Sequence, residues 1–210
     1  MTRATTLRRD AQRTALLDAA ERRIADAGLT ALKARDLASE VGCAVGALYT
    51  LVADMDEVVL RVGSRTLGRL DAALTASAAS AAAGTPAARL VAIARTYADF
   101  AADNLHLWRA LFEFRLADGR ALPDWSAEEQ IRLFRHIDAP LSALRPDLPD
   151  AERHLLARTL FSAVHGIVVL GLEGKLIAVP RAGLHGQIAM VVEAIAHGLA
   201  AGQGSGNGNR

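Results

Sequence analysis

An all-α fold is what this sequence predicts, and three observations predict it. Apolar residues recur at spacings of three and four, the period of one helix face. No run of four to eight β-branched and aromatic residues alternates with polar ones, as a half-buried strand would. About one residue in five of the 210 is Ala, the strongest helix former.

The elements follow in order. Leu17, Ala20, Ile24 and Ala27 share one face of a first helix, which Gly28 ends. Ala34, Leu37, Ala38 and Val41 make a short second face closed by Gly42, and a third segment, 44–52, is short and almost uncharged. Asp54 is an N-cap candidate with Glu57 three residues on, the pattern of a capping box. The helix it opens runs from Met55 towards Ala83 and is stopped by Gly84 and Pro86. Pro86 suits the first turn of the next helix, to about Asp103. Residues 105–117 follow, stopped by Asp118 and Gly119; Asp124 or Ser126 opens another helix, which Pro140 kinks or ends. After a linker at 146–150 come two late helices, 151–172 and 181–201, separated by 174–180. That makes about nine helices, with no solenoid repeat. The expected organisation is a first domain at 1–53, a second at 54–201, and a disordered Gly-rich tail at 202–210.

Composition excludes several classes. The chain is 51% hydrophobic and 22% charged, enough for a sizeable core. Its net charge is +1, from 24 Lys and Arg against 23 Asp and Glu, so no global excess announces nucleic acid or an acidic partner. The single cysteine, Cys43, excludes an intramolecular disulfide and a Cys-based zinc site, and fits a reducing, cytoplasmic setting. No apolar run follows Arg3, Arg8 and Arg9 as in a signal peptide. No stretch approaches about 18 uninterrupted apolar residues, so no membrane partner is expected. The H-E-x-x-H, G-x-S-x-G and P-loop spacings are absent. His154 and His165 share a helix face but lie about 16 Å apart, too far to bind one metal. The expectation is a protein that is not an enzyme, with no cofactor and no metal.

The first fifty residues are the most informative. Two short helices joined by Gly42 and Cys43 fit a helix-turn-helix, whose later helix enters the DNA major groove. Leu37, Ala38, Val41 and Leu48 can form its small core, with Cys43 a buried hydrophobe in the turn. A plain helical hairpin with a Gly turn satisfies the same spacing.

The segment LASEVGCAVGALYTLVADMDEVV, 37–59, resembles the signature of the tetracycline-repressor (TetR) family of bacterial regulators, without a gap. Leu37, Ala38, Gly42, Gly46, Leu48, Tyr49, Asp54 and Glu57 stand on its characteristic places, and Gly28, Arg35 and Asp36 match the opening of its second helix. Further on, FSAVHG at 161–166 resembles the W-x-x-x-H-G of one class of family C-terminal domains, with Phe161 for the Trp. There are departures. Ala44 replaces the usual capping Ser, Val45 the usual polar residue, and Met55 the usual phosphate-contacting Lys. Residues 1–60 hold eight Lys and Arg against nine Asp and Glu, a net of −1, where a DNA-reading domain is normally basic.

The candidate DNA contacts are therefore few. Arg3, Arg8 and Arg9, with Arg13, precede or open the first helix, where they reach backbone or minor groove or simply fray into solvent. Lys33 and Arg35 start the helix that crosses the backbone, although Arg35 can instead pair with Asp36 or Glu40. Ala44, Val45, Gly46, Ala47, Tyr49 and Thr50 are the groove-facing candidates. Val45 and Ala47 suit thymine methyls, Gly46 permits close approach, and the resemblance implies that Tyr49 donates to a phosphate.

Beyond residue 54, Leu156, Leu160, Val164 and Val168, and then Leu184, Ile188, Val191, Ile195 and Leu199, form stripes. They suit a homodimer through the last two helices, a four-helix bundle with Ala163 and Gly166 at the crossing. The same stripes would serve equally as core within one subunit. Tyr97, Phe100, Trp108, Phe112 and Phe134 cluster on the middle helices. Such a set is core unless, as the resemblance implies, those helices enclose an effector cavity. His165, with His106, Arg109 and Glu113, supplies polar groups to orient a mostly apolar small molecule. The expectation is a ligand-responsive repressor that binds a pseudo-palindromic, double-stranded operator as a dimer. The alternative is a helical ligand- or partner-binding dimer in which operator recognition is weakened or lost.

Overall fold

The computed structural model describes residues 3–116, 119–174 and 179–205, with backbone alone at 3–5 and 202–205. Ten α-helices occur among the described residues: α1 Arg3–Ala27, α2 Ala34–Glu40, α3 Val45–Leu48, α4 Met55–Ser80, α5 Pro86–Asp103, α6 Leu105–Glu113, α7 Asp124–Leu133, α8 Arg135–Leu144, α9 Asp150–Glu173 and α10 Leu184–Ser205. No strand is present among them, and the fold is all-α.

The helix beyond the expected nine arises at Phe134. There the ladder switches to i→i−3 bonds, Phe134 N–H to Ile131 and Ile137 N–H to Phe134, and the span expected as one helix becomes α7 and α8. Pro140 does not end α8. It is buried inside it beside His136 and Leu141, and the helix continues to Leu144. α10 reaches Ser205, four residues into the tail expected to be disordered; the rest of that tail, 206–210, lies outside the described residues.

The chain divides into two compact units. The first comprises Met1–Arg69 and Asn104–Ala127. Its core holds Leu16, Leu17, Ala20 and Ile24 of α1, Leu37 and Ala38 of α2, and Leu48 of α3. Val58 and Val62 of α4 and Leu107 and Ala110 of α6 complete it. α2 and α3, of seven and four residues, bury too little apolar surface to stand alone on α1, and these later residues supply the remainder. Ala27, expected on the buried face of α1, is exposed.

The second unit comprises Leu70–Asp103 and Glu128–Arg210. α5 packs against α8, α9 and α10 through Leu90, Ile93, Ala94, Tyr97 and Ala101. The stripes proposed as a dimer seam are largely consumed here: Leu160, Val164, Val168, Leu184 and Ile188 are at most 5% exposed within one subunit. Within one subunit, α9 approaches the start of α10 closely at Gly171. A Cβ on Gly171 would sit 2.7 Å from Leu184 Cδ1, whereas one on Gly166 would meet nothing within 4 Å. What α9 and α10 leave open is a different apolar face, with Leu155 65%, Leu170 44% and Met190 55% exposed. By length and composition alone, Asp150–Glu173 and Arg181–Ala201 are apolar enough to cross a membrane, which the search for uninterrupted runs did not register.

Candidate nucleic-acid interface and ligand site

The turn between α2 and α3 has the backbone that its sequence requires. Gly42 has φ +69°, a left-handed value that costs a side-chain-bearing residue about 1–2 kcal/mol. The Cys43 N–H then bonds the Ala38 carbonyl at 2.9 Å, closing the turn. Val41 and Cys43, only partly buried, pack against Leu37, Ala38 and Leu48.

α3 is shorter than expected. Four residues are helical, and the chain continues through Leu51 and Val52, whose N–H groups bond the Leu48 carbonyl, as turns rather than helix. Ala44 stands at the N-cap with no side-chain bond to offer. Leu48 points inward, while Ala44, Val45, Gly46, Ala47, Tyr49 and Thr50 are all exposed, Tyr49 by 46%. All six of the residues expected to face the groove are therefore accessible. The Thr50 hydroxyl, however, donates to the Ala47 carbonyl at 2.7 Å, so it is turned onto its own backbone.

The cations divide into two groups. Arg8, Lys33 and Arg35 are exposed and form no ion pair among the described residues. Arg35 does not pair with Asp36 or Glu40, because α1 takes both: Arg22 and Arg23 bond Glu40 at 2.8 and 2.9 Å, and Arg23 lies 3.6 Å from Asp36. Those two guanidinium bonds hold the Glu40 carboxyl below its ordinary range. Arg9 is turned to the Thr50 carbonyl, 2.6 Å away. Arg13 bonds Glu57 at 2.6 Å. The side chain of Arg3 lies outside the described residues.

The start of α4 carries the capping box read from the sequence. Glu57 N–H bonds Asp54 Oδ1 at 2.7 Å, and the Glu57 carboxylate reaches back to the Ala53 N–H at 2.8 Å. Partial burial alone would raise the Glu57 pKa; the Ala53 N–H, Arg13 and Arg61 outweigh it and hold the group ionised. Two contacts were not visible in the sequence. Arg120 bridges Asp54 and Asp56 at 3.2 and 2.5 Å, and the Arg61 guanidinium lies 4.2 Å over the Trp125 ring. Their partners are more than sixty residues apart, with no local pattern to announce them.

The expected ligand set is distributed over both units. In the second, the Tyr97 hydroxyl and His165 Nδ1 are 2.7 Å apart, and Phe161 stacks on His165 with ring centroids 5.3 Å apart. Tyr97 and Phe134 approach Phe161 edge-on at 5.6 and 5.5 Å. Burial lowers the His165 pKa. In its Nε2–H tautomer a neutral imidazole accepts the Tyr97 O–H hydrogen bond at Nδ1. Phe161 was missed as a lining residue, although its place four residues before His165 puts both on one face of α9. Phe100 is buried on α5. Trp108 and Phe112 pair with each other at 5.4 Å on α6, in the first unit. Arg109 and Glu113 are on α6 too, and His106 Nδ1 donates to the Ala25 carbonyl at the end of α1 rather than orienting a ligand. Among the described residues no cluster of His, Cys, Asp or Glu could hold a metal.

The described residues thus form a helix-turn-helix with an exposed second helix, and the chain divides into two compact helical units. Residues 90–191 match the family described as tetracyclin repressor-like, C-terminal domain. No curated protein matches the chain. A protein of unknown function from Rhodococcus sp. RHA1 is similar over 91% of this chain and 94% of its own, at 24% identity and TM-score 0.68. A TetR transcriptional regulator from the same organism is similar over 89% and 96%, at 16% identity and TM-score 0.60. RolR in complex with resorcinol is similar over 93% and 95%, at 13% identity and TM-score 0.64. At these identities the likeness shows the fold. Residues 90–191 are thus similar to a tetracyclin repressor-like C-terminal domain, on a fold shared with those solved structures.

Proposed function

We propose that the protein is a cytoplasmic, ligand-responsive repressor that binds a pseudo-palindromic operator as a homodimer. In this reading residues 1–53 read DNA, 54–201 bind ligand and dimerise, and 202–210 are a tail. The observation that carries it is the surface of Ala44, Val45, Gly46, Ala47, Tyr49 and Thr50, exposed around an inward Leu48 and flanked by the unpaired Arg8, Lys33 and Arg35. One such surface touches too little DNA for operator specificity, so two copies are needed. Leu155, Leu170 and Met190 offer the seam: large apolar side chains on the last two long helices, open in a single copy.

The effector site centres on Tyr97, Phe134, Phe161 and His165, with FSAVHG as this chain's form of W-x-x-x-H-G. Aromatic walls with one hydroxyl–imidazole pair suit a small, mostly apolar, neutral molecule bearing a hydroxyl or carbonyl. α4 contributes 55–69 to one compact unit and 70–80 to the other. A ligand that favours one conformer would, through α4, change the separation of two recognition helices, which must match fixed turns of the duplex. A gel shift with DNA flanking the gene tests this. Saturable, competitor-resistant binding that Tyr49→Ala abolishes supports it. The uncapped Ala44 and the net charge of −1 over residues 1–60 favour the second reading, a ligand- or partner-binding dimer that has lost operator recognition; equal affinity for random DNA would establish that instead.

A further inference from the structure

Arg8 and Arg9 are neighbours in the sequence, yet they stand in different surroundings. Arg8 is exposed without an ion pair among the described residues, whereas the Arg9 guanidinium donates to the Thr50 carbonyl, 2.6 Å away and 41 residues along the chain. One turn further along α1, Arg13 bonds Glu57, whose carboxylate also accepts the Ala53 N–H. Two arginines at i and i+4 therefore bracket the segment 50–57, which joins α3 to α4. α1 is itself fixed, because Leu16, Leu17, Ala20 and Ile24 are buried in the core.

α3 needs such support. It has a single helical turn, no side-chain cap at Ala44, and no residue in its last turn to complement the carbonyl end. The last carbonyls of a helix carry partial negative charge, and a guanidinium there supplies both a donor and a favourable field. The Thr50 hydroxyl donates to the Ala47 carbonyl, one of those last carbonyls, and Arg9 takes the Thr50 carbonyl just beyond them.

We infer that Arg9 is a positioning residue for the recognition helix: it fixes the C-terminal end of the Tyr49–Thr50 turn against α1, and leaves Arg8 as the contact of α1 with DNA. The inference rests on the DNA-binding reading above and assigns different work to two adjacent arginines that sequence alone treats as equivalent.

Two measurements on the full chain test it. In the DNA-free protein, amide hydrogen exchange over residues 47–52 should quicken about fivefold in Arg9→Ala, the loss of one charge-assisted bond at an exposed site, and should not change in Arg8→Ala. In DNA titrations across salt concentrations, Arg9→Ala should lower the preference for flanking DNA over random DNA while the slope of log K against log salt stays fixed. Arg8→Ala should weaken both DNAs alike and reduce the slope by about one. Arg9→Lys, which keeps a donor, should restore most of the preference. Unchanged exchange in Arg9→Ala overturns the inference whatever the DNA does. So does a slope that falls by about one in that variant, which would make Arg9 a phosphate contact. A wild-type protein without preference for its flanking DNA overturns the DNA-binding reading instead, and the exchange result then separates the two failures.

Discussion

The open face of α2 and α3 and the open face of α9 and α10 differ in chemistry. The first presents small side chains and one tyrosine, with Lys33 and Arg35 in no ion pair among the described residues, while Arg9, Arg13, Arg22 and Arg23 of α1 are bonded within their own unit. The second presents Leu155, Leu170 and Met190, large and apolar. A half-site reader with so few cations releases few counterions and binds weakly alone. Holding two weak readers together multiplies their affinities by an effective concentration, by about 10²–10⁴ where the geometry fits. If the protein reads DNA as proposed, the contrast implies that recognition would depend on pairing more than on charge, and each prediction below tests one side of it.

The largest effect is expected where the second unit's core is cut. Ile188→Ala, at a fully buried position, should cost about 2–5 kcal/mol in urea unfolding. The double variant Leu170→Glu, Met190→Glu should leave the helical circular dichroism intact, shift sedimentation to monomer, and weaken DNA binding about 100-fold. An unchanged sedimentation profile would break the comparison at its apolar end. Gly42→Ala places a side chain at φ +69° and should destabilise the first unit by about 1–2 kcal/mol. Ala44→Ser should do the reverse, adding about 1 kcal/mol by supplying the cap that α3 lacks, visible as a raised melting temperature.

The gentlest test is one of pH. Burial lowers the His165 pKa from its ordinary 6.5, so the unfolded chain binds the proton more readily than the folded one. That stabilising contribution is complete above 6.5 and is lost as pH falls through the folded value, so wild-type stability should decline on acidification more steeply than that of His165→Gln. Parallel profiles would remove His165 from the buried aromatic group.

What was legible in the sequence was local. Gly42 at the turn, Asp54 and Glu57 at the start of α4, and the small core of Leu37, Ala38 and Leu48 all lie within eleven residues of their partners and appear as read, except that the Glu57 carboxylate takes the Ala53 N–H in place of that of Asp54. Periodicity located the late helices but could not say which way each stripe faced. Leu160, Val164 and Ile188 satisfy a dimer seam and a subunit core equally, and burial alone decides for the core. Spacing grouped Tyr97, Phe100, Trp108 and Phe112 and missed Phe161, yet Trp108 and Phe112 belong with α6 in the first unit, since sequence proximity to Tyr97 and Phe100 does not survive the turn at Asn104. Arg9 on Thr50, Arg120 on Asp54 and Asp56, and Arg61 on Trp125 are tertiary contacts, which no periodicity encodes.

The most direct measurement is a hydroxyl-radical footprint on DNA flanking the gene. A paired reader should protect two patches on one face of the duplex, centred about 10 base pairs apart or a multiple of that, and Tyr49→Ala should erase both. A single patch, or protection indifferent to sequence and to Tyr49, would contradict the account.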